Sequence, residues 1–247
     1  MGHSSDMTVT ERGEIADYRR ALEEGGPFDK PFGPFWDADH WVKWATIREV
    51  MRRLGIRDGG RVLDIGVGEG WTSLFLADGG YDVLGTDFAP AAIEMAQMRA
   101  ARWQTNGRLR FEVADMETLD LHERFDLVLV FEALHHATER RSSVSNFARH
   151  LNPGGWVIFG EPSWLHYISP SARRVSRKQG WVERGVPLSA LKNDCRAAGL
   201  GNFRRFFEGT QPYEKRVTEF GWQLARLVAA NIWVAPKACV WLASQKV

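Results

Sequence analysis

The chain has 247 residues, with 32 Lys and Arg against 31 Asp and Glu, 44% apolar and 26% charged residues. That is the profile of a soluble globular protein and excludes disordered, collagenous and coiled-coil classes. A net charge of +1 gives no sequence-wide attraction to phosphate polymers, so no nucleic-acid partner is expected. Two cysteines, Cys195 and Cys239, with no Cys-x-x-Cys pair, make neither a disulfide framework nor a zinc ribbon.

The opening residues lack the basic and apolar regions of a secretory signal, and the most apolar late stretch, 227–243, is broken by Asn231, Pro236 and Lys237. No membrane span is expected, and a cytoplasmic location is the simplest reading. In chain order, an amphipathic helix is predicted over 11–24, a proline-bearing loop over 25–34 and a second helix over 39–54. Together they make residues 1–57 an N-terminal helical cap ahead of a single unit, 58–247. From Arg61 onward, short β-rich runs alternate with helical patterns: strands at 61–65, 81–86, 109–113, 125–131 and 155–159, helices at 71–77, 89–102 and 142–151. Strand, helix, strand at this spacing predicts an α/β, Rossmann-like, doubly wound and largely parallel sheet. The strand runs are apolar throughout, as strands buried on both faces are. A basic helical stretch (169–178), a helix (188–198), a strand (203–207), a helix (218–232) and a strand (238–243) follow. The two late strands bring the sheet to seven.

Asp64-Ile65-Gly66-Val67-Gly68-Glu69-Gly70 is a glycine-rich turn between a buried strand and a helix, where a ligand meets the carboxyl ends of the strands. Glycine suits the unusual dihedrals of such a turn and the close approach of a ligand to bare backbone. The next strand ends at Asp87, 17 residues past Gly70, where a carboxylate can accept both ribose hydroxyls of a nucleoside. A dinucleotide fingerprint beginning at Gly66 needs its third glycine at position 71, which is Trp71. A nicotinamide or flavin cofactor is therefore the poorer reading.

At these residues the sequence resembles the class I S-adenosylmethionine-dependent methyltransferase family, in its small-molecule branch. Ala114-Asp115-Met116, Phe125 to Val130 and Leu151-Asn152-Pro153-Gly154-Gly155 resemble the family's later motifs, so the likeness spans about residues 58–162. The resemblance implies that Gly66, Val67 and Gly68 line the methionine part of S-adenosylmethionine and that Asp64 supports its amino group. It implies further that Asp87 holds the ribose, Phe88 flanks the adenine and Asp115 takes the exocyclic amine. The Met116 backbone would meet a ring nitrogen, and the Phe131 backbone would approach the methionine amino group. Taken singly, Asp64 can equally be a carboxylate capping the turn, and Met116 a core filler.

Methyl transfer to a hydroxyl needs a base for the leaving proton. Glu132-Ala133-Leu134-His135-His136 follows the fourth strand directly, and an imidazole suits a base near neutrality. His136 is the preferred candidate and His135 the second; the alternative for each is a cap or a loop hydrogen bond. Similar His-His pairs occur in small-molecule and sugar O-methyltransferases of the family. Glu132 and Glu161, ending neighbouring strands, are candidates to line an acceptor cavity or bind a metal, although the oxygen-ligand set of a metal-dependent enzyme is missing and no metal is expected. Phe35, Trp36, Trp41 and Trp44 offer either an aromatic lid over the acceptor or core packing. Arg173, Arg174, Arg177 and Lys178 offer a phosphate contact or a solvated helix face.

The expectation is a methyltransferase acting on an oxygen of a small molecule, such as a sugar or secondary-metabolite hydroxyl. Nitrogen or carboxylate acceptors, a nicotinamide oxidoreductase and a non-catalytic cofactor-binding module are the alternatives.

Overall fold

A computed structural model describes residues 9–24, 38–162, 185–206 and 239–247, together with Arg173 and Arg177. Two helices come first, α1 (Val9–Glu23) and α2 (Ala38–Leu54). Then β1 (Arg61–Ile65), α3 (Trp71–Asp78), β2 (Asp82–Asp87), α4 (Pro90–Ala100), β3 (Leu109–Val113) and β4 (Phe125–Phe131) alternate. A 3-10 turn over Leu134–His136 leads to α5 (Arg140–Arg149) and β5 (Leu151–Pro162). Among the described residues α6 (Leu188–Ala197), β6 (Leu200–Phe206) and β7 (Cys239–Lys246) follow.

The seven strands form one sheet in the order β3-β2-β1-β4-β5-β7-β6. Pairs among β1 to β5 are parallel, and β7 runs antiparallel to both β5 and β6. The order reverses between β1 and β4, so the crevice above their carboxyl ends is the place where an open α/β sheet takes its ligand. The central strands are apolar runs because helices cover both faces: Val62, Leu63, Val83, Leu84 and Leu127 to Val130 are all inaccessible. β3 departs from that expectation, because it is an edge strand and leaves Glu112 and Val113 exposed.

Helix and strand ends follow local chemistry. Proline at the first position of α4 presets its opening turn. α5 ends at Arg149, two residues short of the sequence expectation, because β5 already begins at Leu151, which pairs with Phe125. The helix expected over 218–232 lies outside the described residues, as do Phe35 and Trp36. Trp44 is core rather than lid: it is buried in the cluster containing Ile47, Met51 and Trp71, its ring 4.8 Å from that of Phe75.

The β5–β7 register pairs Gly160 with Trp241. A Cβ at position 160 would stand 2.6 Å from the Trp241 ring, so glycine makes the room that the indole fills. Trp241 is fully buried and stacks on Phe131 with centroids 5.7 Å apart and planes 14° from parallel. Trp241→Ala is expected to cost about 3–5 kcal/mol, read as a fall in the urea midpoint at unchanged slope, while Trp241→Phe loses a smaller part.

Candidate functional site

The glycine loop is held by the strand beside it. Gly66 and Val67 donate their N–H groups to the Thr86 carbonyl at 2.8 and 3.1 Å, and Gly68 N–H donates to Asp87 Oδ2 at 2.9 Å. Gly66 and Gly68 have φ of 67° and 51°, the left-handed region that glycine occupies without a steric cost. A Cβ on Gly66 would lie 2.5 Å from the Cβ of Ala133 and 4.0 Å from Cε of Met116. Three of the segments picked out in the sequence therefore converge on this glycine: the loop after β1, the turn after β3 and the turn after β4. The side chain of Tyr18, from α1, lies over Gly68.

Asp64 is buried beneath the loop, and its Oδ2 accepts hydrogen bonds from Thr72 Oγ1 at 2.5 Å and Ser73 Oγ at 2.6 Å. These two hydroxyls open α3, and nothing in the motif spacing pointed to them. Burial outweighs their effect and lifts the Asp64 carboxyl from 3.8 to about 6. Asp87 is also pushed up by burial, against the two backbone N–H groups that it accepts, one on each oxygen, from Gly68 and Ala89. Each of those oxygens retains a second lone pair, so the carboxylate can still accept a hydroxyl. Phe88, beside it, is half-buried. In the turn after β3, next to the end of β2, Asp115 Oδ1 accepts the Glu117 N–H at 2.8 Å, and the Met116 carbonyl accepts from Asn146 Nδ2 at 2.9 Å. Met116 also packs on the core.

The turn after β4 is built around Glu161. This carboxylate, 1% exposed at the end of β5, accepts the N–H groups of Ala133 and Leu134 on Oε1, at 3.2 and 2.9 Å, and that of His135 on Oε2 at 3.2 Å. The same Oε2 lies 2.9 Å from Nδ1 of His135. A carboxylate accepts, so the ring proton sits on Nδ1 and Nε2 is the basic nitrogen of the neutral imidazole. His135 is buried, His136 is half-buried, and their ring centroids are 3.9 Å apart.

Glu132 does not share a site with Glu161. It adopts φ 50°, which costs a non-glycine residue roughly 1–2 kcal/mol, and its carboxylate pairs with Lys43 of α2 and accepts from Cys239 Sγ at 3.5 Å. The Lys43 ammonium also lies 5.6 Å from the Phe131 ring centroid. Among the described residues no cluster of three or more His, Cys, Asp or Glu side chains is arranged to hold a metal ion. Arg173 and Arg177 are exposed, whereas Arg174 and Lys178 lie outside the described residues.

These residues fit a nucleoside cofactor of the adenosylmethionine kind: a bare-backbone loop, a buried carboxylate with acceptor capacity and a polar turn beside it. Residues 62–155 match the family described as a methyltransferase domain. A ubiquinone biosynthesis O-methyltransferase of Idiomarina loihiensis is 30% identical over 177 residues, 66% of this chain and 70% of that one. One of the same name from Alkalilimnicola ehrlichii is 31% identical over 159 residues, and the chain spans 62% of its length. Among solved structures, the N-methyltransferase NodS of Bradyrhizobium japonicum, in complex with S-adenosyl-L-homocysteine, superposes with a TM-score of 0.61 at 18% identity, covering 95% of this chain and 98% of that one. The chain belongs to the class I S-adenosylmethionine-dependent methyltransferases.

The lifted Asp64 carboxyl has a measurable consequence. A group whose pKa rises on folding stabilises the fold below its unfolded pKa and loses that contribution as pH climbs through the folded value. Between pH 3.8 and about 6 wild type is expected to lose about 3 kcal/mol relative to Asp64→Asn, checked by urea unfolding of both proteins across that window.

Proposed function

We propose that the protein transfers a methyl group from S-adenosylmethionine to an oxygen of a small molecule, with the His135–His136 pair supplying the base. The observation that carries this reading is the His135–Glu161 pair on a turn whose Ala133 packs against Gly66 of the loop. A base oriented by a buried carboxylate, beside a cofactor loop, is the arrangement that proton removal from a hydroxyl requires. The O-methyltransferases that the chain resembles act in the same direction.

When bound, the cofactor supplies an electrophilic methyl on a sulfonium; the protein's own residues do the rest. Gly66, Val67 and Gly68 present bare backbone to the methionine part, and Asp87 accepts the ribose hydroxyls. Phe88 and the Asp115–Met116 turn take the adenine, while Asp64 stiffens the loop from below through Thr72 and Ser73. Glu161 fixes the tautomer of His135 so that Nε2 can receive a proton. His136, more accessible and tilted 43° against it, is the second nitrogen base at the same turn. Nitrogen nucleophiles and carboxylates need such a base less, which favours a hydroxyl acceptor.

Calorimetry with S-adenosylhomocysteine tests the cofactor half: wild type binds, Asp87→Ala binds at least about tenfold more weakly, in line with the loss of a charge-assisted contact, and NAD does not bind. NAD binding in place of S-adenosylhomocysteine would return the oxidoreductase. With hydroxylated acceptors, His135→Ala and His136→Ala are compared at saturating cofactor. Loss of the base lowers kcat by about 10²–10⁴ at unchanged S-adenosylhomocysteine affinity, and full activity in both variants removes histidine base catalysis.

A further inference from the structure

The glycine loop has one internal tie, the Gly70 N–H to the Val67 carbonyl at 2.8 Å, and is otherwise held from outside. Glu69 lies between two left-handed glycines, Gly68 at φ 51° and Gly70 at φ 78°, and a segment of that kind has little preference of its own for one shape. Gly66, Val67 and Gly68 are gripped by β2 through Thr86 and Asp87. The far half of the loop is held by a different group.

Arg99, from the last turn of α4, donates from Nε to the Glu69 carbonyl at 3.1 Å and from Nη2 to Glu69 Oε2 at 2.6 Å. One guanidinium thus holds both the backbone and the side chain of one residue. It is 5% exposed, and its carbon lies 5.3 Å from the ring centroid of Trp71, the residue that follows the loop. The indole at position 71, which argued against a dinucleotide cofactor, here forms one wall of an arginine slot.

Stability is a poor reason for this arrangement. Burial pushes the Glu69 carboxyl up and the Arg99 guanidinium down, each against the pull of its partner. Arg99 is 5% and Glu69 26% exposed, and ion pairs taken this far out of water are often replaced by apolar residues without loss of stability. What an apolar pair cannot supply is the fixed two-point grip on the loop. The helix that carries Arg99 starts directly after Asp87 and Ala89, so one strand–helix unit grips the loop at both ends.

We propose that Arg99, through Glu69, is a positioning residue for the cofactor: it sets the Glu69–Gly70 half of the loop in the shape that receives the nucleoside-linked methionine. The inference rests on the cofactor reading above, and the two fail differently. Wild-type protein that does not bind S-adenosylhomocysteine removes the reading itself, whereas the inference is decided by variants compared with a binding wild type.

The test pairs calorimetry with S-adenosylhomocysteine and thermal unfolding for wild type, Arg99→Met, Arg99→Lys and the double variant Arg99→Met/Glu69→Leu. The double variant is expected to unfold near the wild-type temperature yet bind at least about tenfold more weakly. Arg99→Lys, which keeps the charge but loses the fork, falls between it and wild type. Amide exchange over residues 68–71 quickens in the double variant while β1 and β2 stay protected. Wild-type affinity in a folded Arg99→Met or double variant overturns the proposal, as does affinity that falls only in step with unfolding temperature. Should both of those fail to fold, Arg99→Lys decides, and wild-type affinity in it overturns the proposal.

Discussion

The arrangement at the head of the sheet depends on one buried carboxylate. Glu161 is taken out of water at the end of β5, and a charge in that position is tolerated only when its acceptor capacity is filled. Three successive backbone N–H groups from the neighbouring strand's turn and one imidazole fill it. Charge-assisted bonds of this kind are stronger than neutral ones, so the carboxylate fixes the turn, the turn sets Ala133 against Gly66, and Gly66 fixes where the loop can run. A rearrangement at Glu161 would reach the cofactor loop through only two residues.

Much of this frame was legible in the chain. The boundaries of β1 and β4 agree with the sequence because their cores, Val62-Leu63 and Leu127 to Val130, are apolar runs buried on both faces, whereas the edge strand β3 was legible from its β-rich composition alone. The glycine loop and Asp87 were legible because their chemistry is local to one β–α–β unit. Glu161 was noticed only as a carboxylate at a strand end. Its partners lie 26 to 28 residues earlier, and no periodicity connects them. Glu132 was grouped with it on the same grounds, yet the two engage different partners, since Glu132 faces Lys43 and Cys239. Arg99 was invisible for another reason: a basic residue in the last turn of a helix reads as a solvated end, whereas in the fold it is buried against Glu69 and Trp71.

Trp44 shows the opposite limit. An aromatic residue in a cluster that includes His40 and Trp41 is as consistent with a lid as with a core, and composition does not choose between them. Packing does, because Ile47, Val50 and Met51 carry the same face of α2 into the cluster under β1. α2 is therefore anchored from Trp44 to Met51 by apolar contact, and the Lys43–Glu132 pair adds a polar tie from that helix to the residue directly after β4. The Lys43–Glu132 ion pair couples the helix to the histidine-bearing turn.

The placement of β7 has a consequence in time. Among the described residues β6 pairs only with β7, and β7 lies between it and β5. During synthesis the segment that forms β6 emerges more than thirty residues before its partner, and the outer edge of β5 stays open for longer still. An unpaired strand edge is a template for pairing with another chain. The parallel half of the sheet can assemble as it leaves the ribosome, but closure of the antiparallel half waits for residues 239–246. Until residues 239–246 are made, the edge of β5 that β7 covers has no β7 to pair with.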